Sequence, residues 1–207
     1  MAQIQPRLVV FAKAPQAGVA KTRLIAALGA EGAAALASRM LHHALTQALA
    51  ASIGPVELCM SPAPGDPAWA TTALPDAVLR TDQGEGDLGM RMARAVHRVT
   101  TSHGQPVLLM GSDCPGLSAD ILCEAARQLQ THDAVLLPVA DGGYVLIGLK
   151  LPCPALFEQI AWSTATVAAE TLSRMATLGM KVWRGPLLHD MDEPADLAQL
   201  PAGFLPP

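Results

Sequence analysis

The chain is poor in aromatic residues, which make up 3% of its 207 positions, and charged residues contribute only 15%. Few aromatics exclude a base-stacking platform for single-stranded nucleic acid. A formal net charge of -4 and the lack of any long basic run weigh against a broad nucleic-acid footprint. The four cysteines form no C-x-x-C pair and have no histidine at zinc-finger spacing. They are too few for a disulfide framework, which leaves reduced, mostly buried thiols and a cytoplasmic protein as the expectation. The apolar run at 8–12 is too short for a signal-peptide core or a membrane span. No H-E-x-x-H, G-x-S-x-G or G-x-G-x-x-G pattern occurs, which disfavours zinc hydrolases, α/β-hydrolases and dinucleotide-binding folds.

What is abundant is aliphatic: 51% of residues are hydrophobic. Short apolar runs at 8–11, 56–60, 106–110, 133–138 and 144–149 read as strands buried on both faces, with further strands at 77–80 and 181–183. Helical stretches lie between them, at about 21–51 with a break near Gly29, from 88, from 118, and over 165–178. Pro194 opens a short last helix. This alternation predicts one α/β domain over 1–207, a three-layer sandwich around a mainly parallel sheet. The Asp141-Gly142-Gly143 turn joins two strands directly, which predicts one antiparallel strand. In the helix from 88, Leu88, Met92, Val96 and Val99 form the inward face. Arg91, Arg94 and Arg98 read as a solvated surface.

Open α/β sheets bind ligands at the carboxyl ends of their strands. The loop after the first strand presents Lys13, Gly18, Lys21, Thr22 and Arg23 there, close to a helix start that favours anions. Ala20 and Pro15 stand where a P-loop needs glycines, so Lys21-Thr22 is not one. Phosphate binding is the expectation; a solvated basic loop is the plain alternative. Asp113 follows a buried strand and is either a Mg²⁺ or Mn²⁺ ligand or a turn cap. Asp141 is a candidate base or ligand beside the turn glycines Gly142 and Gly143. In the late acidic run, Asp190 or Asp192 completes the metal site, and capping accounts for at least one acid before Pro194. The loop with Gly84 and Asp87 either closes over substrate or turns the chain, and Trp162-Ser163-Thr164 is a packing and capping feature or an acceptor contact.

The stretches FAKAPQAGVAKTRL, QGEGDLGMRM, LLMGSDCPGL, PVADGGYVLIGL and HDMDEPADL run from residue 11 to 197. Through them the chain resembles small bacterial GT-A-fold nucleotide-diphospho-sugar transferases of the kind found near radical-SAM, selenium or arsenic genes. It is also similar to phospholactate guanylyltransferase and the molybdenum-cofactor nucleotidyltransferases. The resemblance implies a Rossmann-like nucleotide-binding sheet, with Lys13, Lys21 and Arg23 on phosphate, Asp113 on metal and Asp192 as the late acid. It implies a metal-dependent glycosyl transfer from a nucleotide-sugar to a small-molecule acceptor, with Asp141 as base. Gly111-Ser112-Asp113 carries one acid where many such glycosyltransferases have D-x-D. That single acid is closer to a nucleotidyltransferase, in which Lys21 and Arg23 stabilise pyrophosphate leaving a nucleoside triphosphate. A nucleotide-binding protein without turnover is the third reading.

Overall fold

The computed structural model describes residues 5–201 and 204. Seven strands form one sheet: β1 (Arg7–Lys13), β2 (Val56–Ser61), β3 (Leu79–Asp82), β4 (Val107–Gly111), β5 (Ala134–Pro138), β6 (Tyr144–Leu149) and β7 (Val182–Arg184). Their order is β3-β2-β1-β4-β6-β5-β7. Only β6 runs against its neighbours β4 and β5, while the remaining pairings are parallel. The turn at 141–143 is too short for a crossover, so the chain must reverse there.

Helices cover both faces, and the period-two alternation of the strands divides the core between them. Leu8, Val10, Leu58 and Met110 pack under α1 (Ile25–Ala51) and α3 (Ala119–Thr131). Val9, Phe11, Leu109 and Ile147 pack under α2 (Leu88–His97) and α4 (Val167–Thr177). The sheet is thus the middle of three layers. Ser118 starts α3 by accepting from the Ile121 backbone N–H at 3.4 Å. Gly29, at φ 70 and ψ 168, breaks α1 near its start, in a conformation that side-chain-bearing residues rarely reach. With the turn before it, α1 is long and apolar enough by composition to cross a membrane. In this fold Leu36, Met40, Leu41 and Leu45 of α1 are buried under protein.

Two sequence expectations change. The third strand pairs at Leu79–Asp82 rather than 77–80, because Val78 is buried ahead of the paired stretch and Leu79 is the first residue opposite β2. Met92 and Val96 of α2, and Val99 in the turn after it, are buried, but Leu88 is 44% exposed. The first turn of α2 stands at the open end of the sheet, where Gly89 is buried against Phe157 and Trp162 while Leu88 and Met90 are exposed.

Candidate functional site

Three segments distant in sequence meet beyond the carboxyl ends of β1 and β4, which are adjacent and in register from Arg7↔Val107 to Phe11↔Gly111. The first is the loop after β1. Gln16 C=O accepts from the Val19 and Ala20 N–H groups. Lys21 then takes a left-handed conformation, φ 50 and ψ 46, before a 3-10 turn at Thr22–Leu24. The second segment is Ser112-Asp113, directly after β4. The third is the late acidic run, which is tied to the strand ends by backbone. Leu188 N–H donates to Pro138 C=O at 3.0 Å, and Met191 N–H donates to Asp113 C=O at 2.9 Å.

A small third core clamps these segments. Leu24 and Met191 are both buried, with Ala33, Leu36 and Met40 of α1 between them. Asp196 sets the last turn: its carboxylate accepts from the backbone N–H of Asp192 at 3.0 Å and of Glu193 at 2.7 Å. Glu193 and Asp196 form the capping box of the 3-10 turn Pro194–Gln199.

The result is a buried ammonium between two carboxylates. Lys21 Nζ lies 3.1 Å from Asp113 Oδ2 and 2.5 Å from Asp192 Oδ1. The lysine side chain is 7% exposed, whereas those of Asp113 and Asp192 are 47% and 42% exposed. Burial alone would pull the lysine pKa down, but Asp113 and Asp192 outweigh it and raise it above the ordinary value. Arg23 reaches Glu193 at 3.6 Å between exposed side chains.

Lys21, Arg23, Asp113 and Asp192 line a cleft of about 430 Å³ together with Lys13 and Thr22, and Glu193 lies outside its lining. Its other flank is less polar, with Val19 60% exposed and Leu88 44% exposed. Gln83 is 5% exposed and lies across the ends of β1 and β2, donating Nε2 to Ala12 C=O at 3.2 Å and Cys59 C=O at 2.9 Å. Both amide hydrogens are used by backbone, so the amide orientation is fixed. Gln83, Leu88 and Val19 line the cleft and Asp196 holds the acidic segment beside it, roles that reading the sequence did not give to these residues individually. A glutamine or leucine in a glycine-rich stretch carries no signal of its own, and Asp196 reads as an ordinary first-turn acid.

The other expected residues are placed as follows. Gly18 has φ 77 with open space around it. Asp141 is exposed outside this cleft, and its Oδ1 accepts from Gly143 N–H at 2.7 Å. Gly142 packs against the start of α4, its C=O accepting from Ala168 N–H at 2.9 Å. Asp190 links Asp141 to the cleft electrostatically: burial, then the charges of Asp141 and Asp192, push its pKa up to about 6. Asp87 caps α2 by accepting from Met90 N–H at 2.8 Å, and Gly84 turns the chain against Arg94. The three arginines of α2 and the turn after it are more than a solvated surface: Arg94 is exposed, Arg91 and Arg98 are half-buried, and all three are hydrogen-bonded. Arg91 donates to Gly86 C=O, Arg94 to Gln83 and Glu85 C=O, and Arg98 to the buried Glu57 carboxylate. A helical wheel places them off the apolar face but does not reveal what lies opposite. The first two pin the 83–87 loop to the helix.

Among the described residues, no group of three or more histidines, cysteines and acids is arranged to hold a metal by itself. Asp113 and Asp192 nonetheless fit a divalent ion completed by substrate. Each spends one oxygen on Lys21, and the other Asp113 oxygen accepts only a 3.3 Å contact from Ser112 Oγ. Mg²⁺ is commonly held by one or two carboxylates plus substrate phosphates.

Solved structures share this architecture. A protein from Desulfovibrio desulfuricans G20, provisionally described as a nucleotide-diphospho-sugar transferase, is 31% identical over 91% of this chain and 82% of its own, with a TM-score of 0.82. Rv0371c from Mycobacterium tuberculosis H37Rv, in complex with manganese, is 17% identical over 96% and 98% of the two chains, with a TM-score of 0.55. The 4-diphosphocytidyl-2C-methyl-D-erythritol synthase of Anaerococcus prevotii is 11% identical over 96% of each chain, with a TM-score of 0.58. No curated protein matches the chain. The fold is that of the nucleotide-using, GT-A-like class of transferases. Within that class the chain belongs to the family described as "Uncharacterized protein conserved in bacteria (DUF2064)", whose pattern it matches over residues 44–164.

Proposed function

We propose that this chain transfers a glycosyl group from a nucleotide-sugar to a small-molecule acceptor, with Mg²⁺ or Mn²⁺ on the donor diphosphate. The observation that carries the reading is the charge balance around Lys21. Lys13, Lys21 and Arg23 face Asp113, Asp192 and Glu193, so the free cluster is close to neutral. A divalent ion makes it two positive, the complement of a nucleotide-sugar diphosphate rather than of a more highly charged triphosphate.

In this mechanism Lys13, Thr22 and Arg23 orient the diphosphate at the mouth of β1, and Gly18 lets the backbone approach it. Asp113 and Asp192 hold the ion. When bound, it neutralises charge that grows on the leaving nucleoside diphosphate. Lys21, kept charged by its two acids in the free site, adds a cation that donates to the diphosphate beside the ion. Asp141, one carboxylate beyond Asp190, is the acceptor-side base; its Oδ2 is not committed to the Gly143 N–H. The exposed Val19 and Leu88 give the nucleoside an apolar flank.

The single acid after β4 favours a second reading, nucleotidyl transfer from a triphosphate with release of pyrophosphate. One experiment separates the two. The protein is incubated with Mn²⁺ and a panel of nucleotide-sugars or nucleoside triphosphates, together with pooled small-molecule acceptors. Nucleoside diphosphate released from one donor supports glycosyl transfer. Pyrophosphate released from a triphosphate replaces it with nucleotidyl transfer. Turnover of neither, with tight binding of both, leaves a nucleotide-binding protein.

A further inference from the structure

We infer that Lys21 is a placeholder cation, occupying the metal's place between Asp113 and Asp192 until a diphosphate and a divalent ion arrive together. The inference rests on the reading of these two acids as metal ligands and adds the order in which the site fills. The ammonium is nearer to Asp192 Oδ1 (2.5 Å) than to Asp113 Oδ2 (3.1 Å), and it touches both acids at once. It is by far the most buried member of the cluster, and its backbone is fixed in a left-handed turn between Ala20 and the Thr22–Leu24 turn. The ammonium is thus held between the acids and away from solvent while the site is free.

An ion entering alone meets two costs. It comes up against a like charge at contact distance, and it strips a buried ammonium of its two counter-charges. A diphosphate removes both, because its oxygens accept from the ammonium as the carboxylates turn to the metal. A diphosphate entering alone must approach two uncancelled carboxylates if it takes the lysine from them. Each ligand thus binds weakly by itself and each raises the affinity of the other by the same factor, as linkage requires. The free site resists loading with stray metal, and bound metal reports bound nucleotide.

The test uses Mn²⁺ and inorganic pyrophosphate as probes, so the unknown base and sugar do not enter. Electron spin resonance of free Mn²⁺ measures binding of the ion alone to wild type, Lys21→Met and Lys21→Gln. Both variants are expected to bind Mn²⁺ at least tenfold more tightly than wild type. In wild type, the rise in unfolding temperature with Mn²⁺ and pyrophosphate together exceeds the sum of the separate rises, and in both variants the excess is lost. Equal or weaker Mn²⁺ binding by the variants, or additive rises in wild type, overturns the placeholder role. The wild-type measurement stands even if a variant fails to fold. Asp113→Asn in the Lys21→Met background abolishes the tightened binding. If the ion stays bound there, it sits elsewhere, and the metal-site reading fails before the question of order arises.

Discussion

Glu57 is fully buried on β2, with Arg98 hydrogen-bonded to it and Arg7 at 3.5 Å. Burial alone would raise its pKa, but the hydrogen bonds from Arg98 and Thr81 and the charges of Arg98 and Arg7 hold it below the ordinary value. Glu57→Gln leaves two guanidiniums short of a counter-charge and is expected to cost about 3–5 kcal/mol in urea unfolding at neutral pH. Because the folded pKa is the lower one, this stabilisation is present above the unfolded value of about 4.3 and is lost as pH falls through the folded one. The gap between wild type and variant therefore narrows on acidification. At the site, Asp192→Asn keeps the shape and removes a charge, so it is expected to lower transfer roughly 100-fold in a product-release assay. Lys21 and Asp113 were legible in the sequence because each stands just past a buried strand or its loop. From the residues alone the choice of Asp192 over Asp190 was not legible, since an extended segment points both the same way; only the resemblance supplied it. In the structure Asp192, whose backbone N–H donates to Asp196, is the acid that reaches Lys21.

The elements that carry the site are joined by few side chains, and two of these joints can be tested. Met191 is 2% exposed in the core shared with Leu24. Met191→Ala is expected to cost about 2–5 kcal/mol in denaturant unfolding and to weaken Mn²⁺ binding, because the acidic segment loses its anchor. A conserved affinity despite lost stability would mean that the backbone bond from Met191 to Asp113 suffices. The second joint is between the β5–β6 turn and α4. Gly142 has φ 92, and a Cβ there would lie 2.0 Å from Ala165 C=O. Gly142→Ala is expected to destabilise by well over the ~1–2 kcal/mol of a left-handed conformation alone, since backbone must also move. Strand and helix types were legible from their periodicity. The joints were not, because a pattern of burial along one element does not name its partner. The α2 arginines are the clearest instance: their i, i+3/i+4 spacing is that of a wet surface, yet Arg98 covers a buried acid.

For the whole molecule, the three-layer arrangement and the single reversed strand followed from local signals, namely apolar runs of strand length and a turn too short for a crossover. A ligand at about 100 times its dissociation constant adds about 2.7 kcal/mol, which for a domain of this size raises the unfolding temperature by roughly 5–10 °C. The full rise is expected only with metal and nucleotide-sugar together, and a thermal scan of each alone and of both checks it. One consequence concerns synthesis. Lys21 and Asp192 are 171 positions apart, and the small core that joins them needs Leu24 near one end and Met191 near the other. A nascent chain that has left the ribosome as far as β7 already has the seven strands described, yet the loop after β1 faces no late acid. The contact between Lys21 and Asp192 forms only when that last segment docks. Ligand present in the cell would then pull that docking forward, so that the substrate helps to finish the enzyme that uses it.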